Sequence, residues 1–280
     1  MSNLDDIINW IEKNLDKNIT TTDVVIKSGY SSRYLYSIFK KKSGVSLYNY
    51  LRLRKLTLAS YMLRRSNIKI TDIVFMYGFD SIQHFSRVFK NHFGLSPREY
   101  RKAQCWDMRL FFPSAIVSEF NYIQTIIYIS ELYLTPYHKD TINISYGFNF
   151  LPSIENGKIL TTQELEKHYI DLFEVIAKHR NKFTIMGDII LSSKSDSIIS
   201  TSVGDLTFIA NKKTIEIPTS KYICFHYRGS LNDIFKFHTW ATGHGLHKHK
   251  CTLLKGPTFT SFTKSTKTNT FKIKYYIPIN

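Results

Sequence analysis

The chain has 280 residues, 38 Lys and Arg against 22 Asp and Glu, and a formal net charge of +16, room for two modest cores under a strongly basic surface. No run approaches the roughly 18 consecutive apolar residues of a membrane span, and the opening six residues lack the basic and apolar regions of a signal peptide. Cys105, Cys224 and Cys251 are too few and too scattered for a disulfide framework, so the composition predicts a soluble, intracellular chain.

The charge is uneven. Residues 1–110 hold 19 basic against 9 acidic side chains, and residues 111–280 hold 19 against 13. That excess suits a polyanion such as nucleic acid. A membrane surface fits less well, because the basic positions alternate with apolar ones that a core needs.

In chain order, Ile7, Ile8, Ile11 and Leu15 share one face of an opening helix over 4–15, with Asp5 and Asp6 in its first turn. Thr20, Thr21 or Thr22 can cap the next, over 23–28, which stops at Gly29. A basic amphipathic helix follows, with Leu35, Ile38 and Phe39 inward and Arg33, Tyr36, Ser37, Lys40 and Lys41 outward, ending at Gly44. From 46 to 65 the helical pattern persists for about 30 Å at 1.5 Å per residue.

The motif then repeats. A short helix over 70–77 ends at Gly78, and Asp80 or Ser81 can cap a helix whose Phe85, Val88, Phe89 and Phe93 face inward. Its outer face carries Ile82, Gln83, Ser86, Arg87 and Lys90, and Gly94 stops it. With an offset of 50, Leu35, Ile38, Phe39, Lys40, Gly44 and Ser46 fall on Phe85, Val88, Phe89, Lys90, Gly94 and Ser96. One such helix reads most simply as a solvated basic face. Two copies of helix, glycine turn and acid-free helix read as tandem helix-turn-helix motifs. Amide and guanidinium groups reach base edges, and lysines reach phosphates. A connector of about 30 Å suits one 34 Å turn of DNA, so one chain could fill two successive major grooves without a dimer.

Residues 4–105 resemble the DNA-binding domain of the AraC/XylS family, within it the MarA, SoxS and Rob group. The resemblance rests on Ile8, Asn9, Trp10, Ile11 and Glu12, on Ser28, Gly29 and Tyr30, and on Arg52, Leu53, Arg54 and Lys55. It continues through Tyr77, Gly78 and Phe79, then Phe93, Gly94, Pro97, Tyr100 and Arg101. It implies a transcription activator that binds double-stranded promoter DNA as a monomer and recruits RNA polymerase, in a bacterial cytoplasm at the nucleoid.

After a short helix to about Cys105, residues 107–118 with Pro113 read as a linker between a 1–106 DNA-binding domain and a 119–280 domain. The remainder is rich in Ile, Tyr and Phe. Strands are predicted over 122–134, 141–150, 184–191, 198–210, 222–227, 258–262 and 270–279, with helices over 161–179 and 231–243. The fold class is therefore multidomain: an all-α half with two helix-turn-helix motifs joined by a long helix, then an α+β half. The second half resembles the GyrI-like effector-binding domain of Rob through Ile217, Pro218 and Tyr222, Phe225 to Gly229, Gly256, Pro257 and Phe259, and Tyr275 to Ile279. The resemblance implies a regulatory domain with a small-molecule effector. Tyr222, Phe225, Tyr227, Trp240, Thr260, Phe262 and Tyr275 are the candidate pocket, a filled aromatic core being the plainer reading. Cation-binding members carry a buried carboxylate shortly after the Gly-Pro; Thr260 and Ser261 stand there, which argues against cation sensing.

His244, His247, His249 and Cys251 match no common zinc spacing, and read as a loop. No phosphate loop, nucleophile elbow or His-Glu-x-x-His motif occurs, so neither an enzyme nor a cofactor is expected. The alternative left open is an architectural, nucleoid-type DNA-binding protein with weak sequence preference.

Overall fold

The computed structural model describes residues 3–116, 119–145, 153–155, 159–160, 162–191, 197–266, 268 and 270–280. They fall into two compact units. The first holds residues up to 103 and 110–116; the second holds 104–109 and the described residues from 119 onward.

The first unit is helical, and its helix starts are set by side-chain caps. Asn3 caps α1 (Leu4–Glu12), and Thr20 caps α2 (Thr21–Ser28) in a reciprocal box with Asp23. Ser31 caps α3 (Ser32–Ser43) and Ser46 caps α4 (Leu47–Arg65). α5 (Ile70–Met76) has no side-chain cap, whereas Ser81 caps α6 (Ile82–Phe93) and Ser96 with Glu99 boxes α7 (Pro97–Lys102). α1 stops three residues short of the predicted Leu15. The Asn14 amide donates to the Trp10 carbonyl at 2.7 Å and the chain breaks into turns, yet Leu15 is still buried.

Gly29, Gly44, Gly78 and Gly94 take left-handed φ of +67° to +77° at the ends of helical segments. At Gly78 the left-handed φ itself favours glycine, and a Cβ there would also force the Asn18 side chain to turn away. α4 runs through the middle with 12 of its 19 residues buried, including Arg54 and Lys55. Phe85, Phe89, Phe93 and Tyr100 form a chain of rings 4.6–5.3 Å apart, and Phe39 packs edge-on against Tyr50 at 5.1 Å.

The stretch predicted as a linker is divided differently. Residues 110–116 pack against the helices: Phe111 is buried beside Phe93 and under Arg64, and the Phe112 ring meets Tyr50 at 5.7 Å. The Phe112 N–H donates to Thr57 Oγ1 at 3.0 Å, and its carbonyl accepts from Arg54 Nη1 at 2.7 Å. The Ala115 N–H donates to the Tyr50 hydroxyl at 3.0 Å. Residues 105–107, also read as helix end and linker, are instead a strand of the second unit. Aromatic residues beside a proline carry no periodicity over so short a run, so the sequence hides this. A fragment ending at 117 should therefore be more stable than one ending at 106 by at least about 2 kcal/mol, from one aromatic burial and several hydrogen bonds. Urea unfolding of the two fragments measures it, and equal midpoints would mean the strap contributes nothing.

Among the described residues the second unit is an antiparallel sheet with two longer helices and a short turn of helix over Leu246–Lys248. Its elements are β1 (Cys105–Asp107), β2 (Tyr122–Ile129), β3 (Leu132–Ser145), β4 (Ser153–Glu155), β5 (Ile159–Leu160), α8 (Thr162–His179), β6 (Lys182–Leu191), β7 (Ser197–Thr207), β8 (Ile215–Ile217), β9 (Ser220–Gly229), α9 (Ile234–Trp240), β10 (Thr252–Leu254), β11 (Thr258–Lys264) and β12 (Phe271–Ile279). α9 runs on through a π turn over Ala241–Gly245. The predicted strand over 122–134 is two strands, broken at Glu131, which has φ +52°.

Along the sheet the order is β3–β7–β6–β11–β12–β9, and the chain order is β3–α8–β6–β7, then β9–α9–β11–β12. The unit is a duplicated β-α-β-β arrangement meeting at β6 and β11. At that seam Phe183 stacks on Phe262 at 4.8 Å, and Thr184 and Ser261 hydroxyls bond at 2.9 Å. Both helices lie on one face: α8 places Phe173 on Phe262, and α9 places Phe237 on Tyr227. The sheet curls, because Leu134 of β3 and Tyr222 of β9, at opposite ends of that run, share one apolar cluster with Phe259 and Ile217.

Candidate nucleic-acid interface

α3 and α6 begin and end alike. A left-handed glycine closes the preceding segment, a serine caps the helix, and a left-handed glycine ends it twelve residues later. Burying Leu35 and Phe39 of α3, and Phe85, Phe89 and Phe93 of α6, fixes which faces point outward. On α3, Arg33, Tyr36, Ser37, Lys40 and Lys41 are exposed. On α6, Ile82, Gln83, Arg87 and Lys90 are exposed and Ser86 is half-buried. Neither helix contains an acidic residue. Lys42 is drawn to Asp5 at 2.7 Å, whereas among the described residues Arg33, Lys40, Lys41, Arg87 and Lys90 have no ion-pair partner. These cations stand on the outer faces of capped helices, and among them Lys90 alone feels a nearby acid, Glu99 of α7.

The copies differ at the turn. Gly29 and Ser31 enclose Tyr30 alone, while Gly78 and Ser81 enclose Phe79 and Asp80. Phe79 is buried against Phe85 at 4.9 Å, and Tyr30 meets Tyr34 at 5.1 Å. Tyr34, 52% exposed, and Tyr48, 66% exposed, join the same kind of surface and were not singled out by sequence. The repeat itself was the missed signal for Tyr48, because an offset of 50 places it on the exposed Arg98, each following a serine-capped start.

The candidate effector residues do not form one set. Side chains alternate along a strand, and the register sets Phe225 beside Tyr275 and Tyr275 beside Thr260 on the helix-covered face. Tyr227, Trp240 and Phe262 share that face; Tyr222 points to the other, against Phe259, with its hydroxyl on the Pro218 carbonyl. On the helix-covered face, Trp240 packs on Tyr122 at 4.5 Å, and Phe120 sits 5.3–5.7 Å from Tyr227, Phe237 and Trp240.

His238 of α9 was not anticipated. Its Nε2 bonds Thr260 Oγ1 at 3.0 Å and its ring lies 4.1 Å from Tyr275. Burial of that ring brings its pKa down to about 3. Between the ordinary value near 6.5 and that figure, only the unfolded chain takes up the proton. Stability from this group is therefore complete above pH 6.5 and is lost as pH falls toward 3. Lowering the pH from 7.5 to 5 should cost the native chain about 1–2 kcal/mol more than it costs His238→Gln. Urea unfolding followed by tryptophan fluorescence reads the difference; parallel pH profiles would remove His238 from the account.

The histidine loop is engaged locally. His247 Nδ1 lies 3.1 Å from the Met108 carbonyl and His249 Nε2 lies 3.2 Å from the Tyr122 hydroxyl. Among the described residues no three His, Cys, Asp or Glu are grouped to hold a metal ion, and no helix is long and apolar enough to cross a membrane.

A short helix, a glycine turn and a serine-capped helix with an acid-free outer face together define a DNA-binding protein of the helix-turn-helix class. A family described as "Helix-turn-helix domain" matches residues 25–103. The Tn10 TetD protein of Escherichia coli is 42% identical over 103 residues, 37% of this chain and 75% of TetD. The putative HTH-type transcriptional regulator YkgA of Escherichia coli K12 is 40% identical over 116 residues, 41% of this chain; the match spans about half of YkgA, 48%. Among solved structures, an AraC-type transcriptional regulator from Chromobacterium violaceum is 31% identical, covering 35% of this chain and 88% of its own, with a TM-score of 0.34. The chain belongs to the AraC-type helix-turn-helix transcriptional regulators, which are DNA-binding proteins and not enzymes.

Proposed function

We propose that the chain is a sequence-specific transcription regulator that inserts α3 and α6 into successive major grooves of promoter DNA. α4, about 28 Å long for its 19 residues, is the spacer between two helix-turn-helix motifs. The observation that carries the reading is the pair of serine-capped, acid-free helices, at an offset of 50 residues, whose outer cations form no ion pair among the described residues. Both recognition helices belong to one chain, so the site it reads need not be palindromic. Activation through RNA polymerase follows from the family resemblance.

The second unit is proposed as a GyrI-like regulatory domain. The position expected to hold a carboxylate holds Thr260 bonded to the neutral His238, and both can only offer dipoles. An organic cation would go unpaired there at a cost of several kcal/mol, so regulation runs through a small molecule other than an organic cation or through a protein contact.

Competition decides between a regulator and an architectural protein. Unrelated duplex should displace the chain from its promoter only at roughly a thousandfold or greater excess over specific duplex. Displacement at equal concentrations would favour the architectural reading.

A further inference from the structure

One strand of the second unit has an edge that no other described strand covers. Among the described residues β2 pairs with β9 alone, so the other margin of its backbone presents free N–H and C=O groups. Its eight residues, Tyr-Ile-Gln-Thr-Ile-Ile-Tyr-Ile, include no charge, no proline and no glycine. Ile123 is 69% exposed, Ile126 59%, Ile127 36% and Tyr128 68%. Because side chains alternate, both faces of this edge are apolar. Edge strands that stay solitary are guarded by lysine, proline or a bulge; β2 has none of these.

We propose that β2 pairs antiparallel with β2 of a second copy of this chain, continuing the sheet across a twofold axis. The strand is complementary to itself. An axis through Thr125 sets Ile123 opposite Ile127 of the other copy, Tyr122 opposite Tyr128, and Gln124 opposite Ile126. Each pair then shares one face, as a twofold normal to the sheet demands. Two β-branched pairs and two aromatic pairs result, which are the stabilising kinds. The area is modest. Edge pairing covers the backbone margin and only the flanks of the four exposed side chains, so the contact falls at the small, transient end of specific interfaces, below about 1,200 Å². Charge limits the strength of the contact. A chain of net charge +16 repels its own copy, and β2 itself adds no charge to that repulsion, although Lys248 reaches over the Tyr122 ring and Lys221 of β9 pairs with Tyr128. The pairing brings two recognition units into one particle.

Sedimentation of the full chain without DNA tests this. The expected result is a monomer–dimer equilibrium with a dissociation constant on the order of 10 μM. Ile123→Lys with Tyr128→Lys, at positions already facing solvent, should weaken it at least tenfold by roughly the measure that charge blunts an edge. Phe208→Lys, in an equally exposed apolar position away from β2, should leave it unchanged. Thermal unfolding of the double variant checks that its fold is kept. A native chain that stays monomeric to about 100 μM overturns the proposal, as does a dimer that survives the double variant or one that only Phe208→Lys dissolves.

Discussion

Glu12→Ala is expected to unfold the first unit more readily than any surface change, by about 3–5 kcal/mol. The Glu12 carboxylate accepts from Arg54 Nε at 2.9 Å and Nη2 at 2.6 Å, and from the Tyr50 hydroxyl at 2.7 Å. The Arg54 and Glu12 side chains are only 11% and 20% exposed. Burial works against the Arg54 charge, but Glu12 more than offsets it and holds the guanidinium above its ordinary pKa. Removing Glu12 leaves that charge enclosed without its counter-ion and leaves the Tyr50 hydroxyl without an acceptor. The pair that joins Lys42 to Asp5 is a useful contrast, with side chains 41% and 47% exposed. Lys42→Ala should cost no more than about 1 kcal/mol, because water screens that pair. Replacing Glu12 and Arg54 together by apolar residues should recover part of the loss, since no lone charge then remains. Urea midpoints of fragment 1–117 and its three variants measure all of this. A Glu12→Ala midpoint equal to that of Lys42→Ala would show that the buried network carries no special weight.

The same network explains what could and could not be seen in the sequence. Two helix starts were legible to within a residue or two, because Thr20 and Ser81, each one of the caps the sequence offers, act through hydrogen bonds to the residue three places on, and local chemistry leaves a local pattern. The outward faces of α3 and α6 were legible for a related reason: Leu35 and Phe39, then Phe85 and Phe89, fix the opposite side by their spacing. Glu12 and Arg54 are 42 positions apart, and Phe112 is 58 from Arg54, so nothing local announces their meeting. β1 was hidden likewise, because its partner β10 lies nearly 150 residues away. Tyr222 was misplaced for a different reason. β9 is buried on both faces from Tyr222 to Phe225, so burial gives no alternation to read, and only the register with β12 separates the two sides. His238 escaped notice because a lone histidine in a helical pattern has no signature until Thr260 and Tyr275 are placed beside it.

Arg87→Ala is expected to relax base choice in the half-site read by α6, while Ser37→Ala, its counterpart on α3, should matter little. Arg87 is exposed on a helix held by the buried Phe85 and Phe89, with no acidic side chain paired to it among the described residues. A guanidinium so placed can give two hydrogen bonds to guanine O6 and N7, worth roughly 1–3 kcal/mol of discrimination, or about 5- to 150-fold. A serine hydroxyl reaches any base and distinguishes little, and Arg33 and Tyr36 nearer the start of α3 can carry that half-site's contacts. Lys40, exposed in the last turn of α3, is placed for a phosphate instead. Lys40→Ala should weaken promoter and scrambled duplex alike and lower the slope of log K against log salt by about 0.9. The decisive measurement is the ratio of promoter to scrambled affinity for each variant at two salt concentrations. Arg87→Ala should shrink that ratio at both, because a base contact is lost whatever the salt. If instead Arg87→Ala lowers both affinities equally and flattens the slope as Lys40→Ala does, Arg87 is one more phosphate contact, and sequence reading by α6 must rest on Gln83 and DNA shape.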